Sequence, residues 1–110
     1  MKRVVEYFLD KGILFESVSE IDKKLLNTRK KISILSLKDS KQKYHSIYIV
    51  AQNSRFLIKN ALELIEIDER LQKLENHNFK YKHLMISEAI CSKAVQYFKD
   101  KGWQLHHDFM

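Results

Sequence analysis

Residues 31–51, KISILSLKDSKQKYHSIYIVA, decide the fold. The flanks at 31–37 and 44–51 are rich in β-branched, leucine and tyrosine residues, which favour strands, and the polar run at 38–43 is typical of a hairpin connection. We therefore predict two antiparallel strands. The apolar alternation slips between Ile34 and Leu35, which indicates either a β-bulge or burial on both faces of the strand.

The sequence before this hairpin predicts a helix and then a strand. Apolar residues recur at helical spacing within residues 4–9, and Gly12 stands where a glycine commonly closes a helix. Residues 13–18 then predict a short strand. Ser19 is a suitable N-cap for a short helix reaching residue 26.

The sequence after the hairpin predicts alternating helices and strands. Residues 54–75 form the longest helical pattern, 83–87 a buried strand, 88–101 a second helix closed by Gly102, and 103–109 a terminal strand. The predicted order is α-β-(α)-β-β-α-β-α-β. A strand-helix-strand ending requires a right-handed crossover, so the last two strands should be parallel. The expected class is α/β (α+β), one mixed sheet flanked by helices.

Length and composition favour one domain, residues 1–110, because 45% apolar residues suffice for a single core. No run of roughly 18 apolar residues and no leader pattern is present, so we expect a cytoplasmic protein without a membrane partner. The formal charge is +6, and residues 23–43 hold eight cations and one acid. That stretch is either a solvated face or a phosphate-binding surface.

Familiar catalytic signatures are absent from the sequence. There is no glycine-rich phosphate loop, paired-cysteine zinc motif, His-Glu-x-x-His or nucleophile elbow. Cys91 lies near a predicted helix N-terminus, where a thiol is activated, but it also belongs to that helix's apolar stripe, and we expect a buried structural cysteine. No cofactor is expected.

The five histidines do not predict a metal site, because none of them pairs at helical metal-binding spacing. His106 and His107 are adjacent on a predicted strand, so their side chains should point to opposite faces. We expect exposed or hydrogen-bonded polar histidines, with His83 and His107 the first to test.

The order of elements resembles the PD-(D/E)XK fold of restriction enzymes and Holliday junction resolvases. The opening VEYFLDKG at 5–12 is similar to the first helix of that group. HLMIS at 83–87, SKAVQYF at 92–98 and GWQL at 102–105 resemble the closing unit of Mrr-type restriction enzymes. The resemblance implies a restriction endonuclease-like fold. It also implies an aspartate early in the first hairpin strand and a Glu-x-Lys late in the second, with the acids holding magnesium.

This sequence departs from that catalytic pattern. The early position reads TRKKI at 28–32, the late position reads VAQ at 50–52, and Asp39 falls at the turn end of the hairpin. We therefore expect no catalytic residues and no metal ligands, unless Glu6 or Glu16 supplies a displaced ligand. The same region offers donors for phosphate oxygens and one aromatic ring for stacking on bases. These candidate nucleic-acid-binding residues are Arg29, Lys30, Lys31, Gln52, Arg55, Lys59 and Tyr44.

The sequence thus favours a basic, non-catalytic, nuclease-like domain that binds DNA or RNA. One alternative is a protein-interaction or structural module, either homo-oligomeric or with a protein partner, whose charge only confers solubility. A second alternative is an enzyme, either a nuclease with displaced ligands or a thiol reductase using Cys91. Our prediction leans against an enzyme.

Overall fold

The computed structural model describes residues 2–26, 32–50, 55–86 and 89–106. Within them the chain forms three α-helices, five strands and one 3-10 helix, in the predicted order. In chain order the elements are α1 (Lys2–Asp10), β1 (Phe15–Ile21), the 3-10 helix (Lys23–Leu26), β2 (Ile32–Asp39), β3 (Tyr44–Val50), α2 (Ile58–Glu75), β4 (Tyr81–Ile86), α3 (Ser92–Asp100) and β5 (Gln104–His106).

The five strands form one mixed sheet in the order β1-β2-β3-β4-β5. β1, β2 and β3 are antiparallel neighbours, whereas β3, β4 and β5 run parallel. The predicted hairpin and the predicted parallel ending are both confirmed. The parallel pairs require crossovers, which α2 and α3 provide.

β2 is buried on both faces, which explains the slip in its apolar alternation. Ile34 packs in a core with α2 and α3, while the adjacent Leu35 packs in a second core beneath α1. The β2–β3 register runs without interruption from Ile32↔Val50 to Lys38↔Tyr44, so no bulge lies in this pair. The sheet therefore separates two cores, and helices cover both of its faces.

The two glycines end α1 and α3 as predicted. Gly12 and Gly102 have φ values of +86° and +80°, in the left-handed region that favours glycine. After each glycine the chain turns back onto its helix, because the Ile13 and Trp103 amides donate to the Phe8 and Phe98 carbonyls, each at 2.9 Å. This is the closure of a Schellman motif.

Several predicted boundaries were wrong because tertiary pairing replaces local helix signals. The helix expected from residue 54 begins at Ile58, and the one expected from residue 88 begins at Ser92. Phe56 and Ile90 form a parallel bridge instead, which holds both segments extended. Ser19 lies inside β1, and Asp22 caps the 3-10 helix by accepting the Lys24 amide at 3.0 Å. The terminal strand spans Gln104–His106; residues 107–109 of that prediction lie outside the described part.

One structural observation bears on the expected absence of a membrane partner. Across residues 2–26, 32–50, 55–86 and 89–106, no helix combines the length and apolar character needed to cross a bilayer.

Candidate functional site

Two of the predicted phosphate-binding residues lie at the beginning of α2. Arg55 and Lys59 are both exposed, one just before the helix and one in its first turn. Because both side chains are exposed to solvent, their charged groups can contact a ligand. Arg29, Lys30, Lys31 and Gln52 lie outside the described residues.

Tyr44, the predicted stacking residue, lies at the other end of β3. It is the first residue of that strand, and six residues at about 3.3 Å each place it roughly 20 Å from the strand's end. Its ring stacks on His77, with centroids 3.9 Å apart. The structure therefore does not bring Tyr44 to Arg55 and Lys59.

The hairpin end at which the PD-(D/E)XK pattern would place its acids presents no carboxylate from β2 or β3. The paired positions there are Ile32↔Val50, Ser33↔Ile49 and Ile34↔Tyr48. Asp39, the single acid of the two strands, is at the opposite end. Its Oδ1 accepts the amides of Lys41 and Lys43, both at 2.9 Å, so this carboxylate closes the hairpin turn.

Glu6 and Glu16 are the two acids that the sequence offers as displaced metal ligands. Glu16 accepts a hydrogen bond from Gln42 at 3.1 Å, at the turn end of the hairpin, and Glu6 is exposed on α1. Glu20 and Asp22 line an open depression beside Ser33. Within the described ranges, no group of three or more His, Cys, Asp or Glu side chains is arranged to hold a metal ion.

A row of histidines crosses the sheet on the face covered by α1. β3, β4 and β5 contribute His45, His83 and His106, and all three are buried. Strand alternation points His45 to the same face as Ile47, and His83 to the same face as Met85, both residues of the core beneath α1. Each histidine lies diagonally across from the next, because His45 pairs with Tyr81 and His83 pairs with Gln104.

These histidines form a continuous chain of hydrogen bonds with a carboxylate at one end and a phenol at the other. Asp39 Oδ2 lies 2.8 Å from His45 Nε2, and His45 Nδ1 lies 2.9 Å from His83 Nε2. His83 Nδ1 lies 3.1 Å from His106 Nε2, and His106 Nδ1 lies 2.8 Å from the Tyr7 hydroxyl. We call this set of five residues the histidine relay.

Aromatic side chains keep water from the middle of the relay. Phe8 of α1 contacts His83 and His106 edge-on, with centroids 4.8 and 5.2 Å apart, and Phe15 contacts His45 at 5.1 Å. His83 is 0% exposed. A buried imidazole without a hydrogen-bond partner would be costly, and the relay satisfies both nitrogens of each ring.

One protonation pattern satisfies every bond of the relay at neutral pH. If Asp39 is ionised, His45 must donate from Nε2, which leaves its Nδ1 to accept from His83. The same logic repeats through His106, whose Nδ1 accepts from Tyr7. All three neutral rings are then Nε2–H tautomers, with every donor directed toward Asp39.

The pKa values of the relay agree with this pattern. Burial tends to raise the pKa of the Asp39 carboxyl, but hydrogen bonds from His45 and from the Lys43 and Lys41 amides outweigh it, and the net pKa is lowered from 3.8. Burial, followed by the charges of His45 and His106, lowers the pKa of His83 from 6.5 to about 3. The central ring is therefore neutral at physiological pH.

A cleft opens over the Asp39 end of the relay. Its volume is about 240 Å³, and its lining includes Asp39, His45 and His83, with Lys41 and Lys43 contributed by the hairpin turn. Since one water occupies about 30 Å³ in the liquid, the cleft has room for several waters or a small molecule.

A second buried polar group lies on the opposite face of the sheet. Asp68 of α2 is 1% exposed, accepts the Tyr48 hydroxyl at 2.6 Å, and pairs with the Lys82 ammonium at 2.8 Å. Burial, together with the charge and the hydrogen bond of Asp68, raises the pKa of Tyr48 well above 10. These contacts fasten α2 to β3 and β4.

Cys91 is the N-cap of α3. Its Sγ accepts the Ala94 amide at 3.4 Å, and its side chain is half-buried against the core, not fully buried as expected. Because Ile90 forms a bridge with Phe56, α3 begins only at Ser92, and Cys91 lies directly before the helix.

Sequence reasoning missed the relay because it considered the histidines one at a time. The sequence did hold a signal, which is the alternation of side chains along a strand. His45 lies two residues before Ile47, and His83 lies two residues before Met85. Each of these histidines therefore shares a face of the sheet with a core residue.

Comparison with solved structures finds three of similar fold, two of which are structures of EndoMS. The apo form of EndoMS aligns with a TM-score of 0.56 and 14% identity over 86% of this chain and 37% of that chain. A repair endonuclease from Pyrococcus abyssi aligns with a TM-score of 0.51 and 8% identity, over 83% and 38%. EndoMS in complex with double-stranded DNA aligns with a TM-score of 0.51 and 11% identity, over 96% and 42%.

The fold is restriction endonuclease-like. The predicted fold class is thus confirmed, at identities that support a shared fold alone. This chain spans less than half the length of those solved chains. The sequence matches no protein-family model, and no curated protein matches it either.

Proposed function

We propose that this chain binds nucleic acid without cleaving it. The observation that carries the proposal is the hairpin end formed by Ile32↔Val50 and Ile34↔Tyr48, where β2 and β3 provide no carboxylate for a metal ion. Binding magnesium requires oxygen ligands, usually carboxylates, and cleavage by this class of nuclease depends on that ion.

The charges around this hairpin end favour an anionic ligand. Arg55 and Lys59 are exposed at the start of α2, the element that follows β3, and Lys31 and Gln52 flank the start of β2 and the end of β3 in the sequence. Guanidinium and ammonium groups bind phosphate oxygens and release counterions from nucleic acid. The similar structure of EndoMS with double-stranded DNA supports DNA as a ligand of this fold. Arg29 and Lys30 are included in the proposal because they precede β2 in the sequence. Tyr44 would contact only a ligand reaching the far end of β3.

Fluorescence anisotropy over a salt series tests the binding. The protein is titrated into labelled duplex DNA, single-stranded DNA and RNA, and we expect affinity to fall steeply as salt rises. Arg55→Ala with Lys59→Ala removes two exposed cations and should lower the salt slope for duplex DNA by about two. A Lys30→Ala, Lys31→Ala and Arg55→Ala triple variant should lose most of the binding. No retention of any nucleic acid at low salt would overturn the proposal.

The matched control removes the same charge elsewhere. Lys73 and Lys80 are exposed near the C-terminal end of α2, away from Arg55 and Lys59. A Lys73→Ala and Lys80→Ala variant should bind almost as wild type does. An equal loss in both double variants would show that only net charge matters, which contradicts a defined binding surface.

Cleavage is tested separately from binding. Purified protein is incubated with plasmid and linear DNA in Mg²⁺ or Mn²⁺, and we expect the DNA to remain intact. Metal-dependent cleavage abolished by Asp22→Asn or Glu20→Gln would contradict the non-catalytic part of the proposal and support displaced ligands.

A further inference from the structure

We propose that Asp39, His45, His83, His106 and Tyr7 form a proton relay that carries one proton beneath α1, from Tyr7 to His45 at the floor of the cleft. The relay is distinct from the nucleic-acid surface proposed above. Its residues come from α1, from the β2 end of the hairpin turn and from three strands, and they form four hydrogen bonds of 2.8 to 3.1 Å in sequence.

The transfer conserves all four hydrogen bonds. It reverses the direction of the three that join Tyr7, His106, His83 and His45, while His45 continues to donate to Asp39. A proton from solvent joins the Tyr7 oxygen, and the Tyr7 hydroxyl proton passes to His106 Nδ1. The Nε2 proton of His106 then passes to His83 Nδ1, and the Nε2 proton of His83 passes to His45 Nδ1. His45 ends as an imidazolium beside the Asp39 carboxylate, while Tyr7, His106 and His83 remain neutral.

The three rings of the relay together hold one extra proton and no more. After the reversal, each ring donates from Nδ1, so a second proton would place two N–H groups face to face between neighbouring rings. The charge belongs at His45 because Asp39 lies 2.8 Å from it. His83, buried and flanked by two imidazoles, resists charging, as its lowered pKa also indicates.

Titratable or charged side chains lie at both ends of the relay. On α1, Lys11 lies over the Tyr7 ring at 4.9 Å. At the Asp39 end, Lys41 and Lys43 line the cleft, and Tyr81 of β4 stacks on His45 with centroids 4.8 Å apart. Apolar Phe8 and Phe15 face the middle. Within the part of the chain that the structure describes, exchange with solvent or with a small acidic or basic ligand is therefore expected at Tyr7 and at the cleft.

Long-range ¹H–¹⁵N correlation spectra of the histidine rings test the relay in the unmodified chain. At pH 8 we expect His45, His83 and His106 all as neutral Nε2–H tautomers. On acidification we expect one shared midpoint, at which His83 and His106 switch to neutral Nδ1–H tautomers while His45 becomes doubly protonated. Isolated histidines gain charge on titration and do not exchange one neutral tautomer for the other.

Two variants complete the experiment. His83→Phe breaks the relay, and His45 and His106 should then titrate with separate midpoints; His77→Gln, outside the relay, should leave the shared switch intact. Any Nδ1–H ring at pH 8, separate midpoints in the wild type, or unfolding before the switch overturns the proposal. If His83→Phe does not fold, the wild-type spectra still decide the question.

Discussion

His45 and His83 share a hydrogen bond of 2.9 Å between Nδ1 and Nε2, although 38 residues separate them in the chain. The bond exists because β3 and β4 are parallel neighbours with His45 opposite Tyr81, two residues before His83. In this buried hydrogen bond, one ring nitrogen carries the proton and donates it, and the other ring nitrogen accepts. We expect this contact to influence the response of the protein to acid.

Acid should destabilise the fold over the range in which unfolded histidines gain protons. The pKa of His83 is lowered to about 3, below its ordinary 6.5, so its contribution is complete above pH 6.5 and is lost as pH falls toward 3. The loss corresponds to about 4 to 5 kcal/mol at most. Urea unfolding followed by circular dichroism between pH 8 and pH 3.5 measures it.

Asp39 acts in the same direction at lower pH. Its pKa is also lowered, so its contribution is present above 3.8 and is lost as the carboxylate is protonated. A free energy of unfolding that stays constant from pH 7 to pH 4 would contradict the His83 assignment. The absence of any further loss below pH 3.8 would contradict the Asp39 assignment.

Asp39→Asn should reverse the relay without adding a proton. The new amide oxygen must accept the Lys41 and Lys43 amides, so its NH₂ group faces His45 Nε2. His45 then carries its proton on Nδ1, and the same change follows at His83 and His106. The ring spectra at pH 8 should show three Nδ1–H tautomers, with a stability loss of about 1 to 3 kcal/mol.

Asp22→Asn is the control for that substitution. Asp22 also accepts a backbone amide, from Lys24 at 3.0 Å, but it is exposed and outside the relay. It should leave all three tautomers unchanged. Nε2–H rings in the Asp39→Asn protein would show that the turn does not set the direction of the relay.

Tyr48→Phe should weaken the attachment of α2 to the sheet. The substitution removes the hydroxyl that donates to Asp68 at 2.6 Å and leaves a buried carboxylate oxygen with one partner fewer. We expect a loss of about 1 to 3 kcal/mol in urea unfolding. Tyr97→Phe, on the half-buried side of α3, should cost much less; equal losses would mean that the Asp68 contact contributes little.

Gly102→Ala should destabilise the end of α3 through the backbone alone. A Cβ at this position meets no heavy atom within 4 Å, so the cost arises from φ of +80°. We expect about 1 to 2 kcal/mol for alanine in the left-handed region. Asparagine tolerates this conformation better, so Gly102→Asn should lose less, and thermal denaturation of the two variants compares them. Equal stability of wild type and Gly102→Ala would contradict the explanation.

The order of helices and strands was predictable because its signals are local. Apolar spacing identified the hairpin and the strand-helix-strand ending, and Gly12 and Gly102 marked two helix ends through their own backbone freedom. The absence of acids at residues 28–32 and 50–52 could likewise be read from the sequence. Helix starts were less accurate, because the bridge between Phe56 and Ile90 depends on two segments far apart in sequence.

The sequence by itself determined the element order and the basic charge, whereas the structure decided between a bulge and burial on both faces for β2. Only the tertiary structure decided that Asp39, three histidines and Tyr7 form one connected row. The physical reason is that a hydrogen bond between strands depends on register and on facing direction together. A shift of one residue in β4 or β5 would point His83 or His106 to the other face, and no local pattern specifies that register.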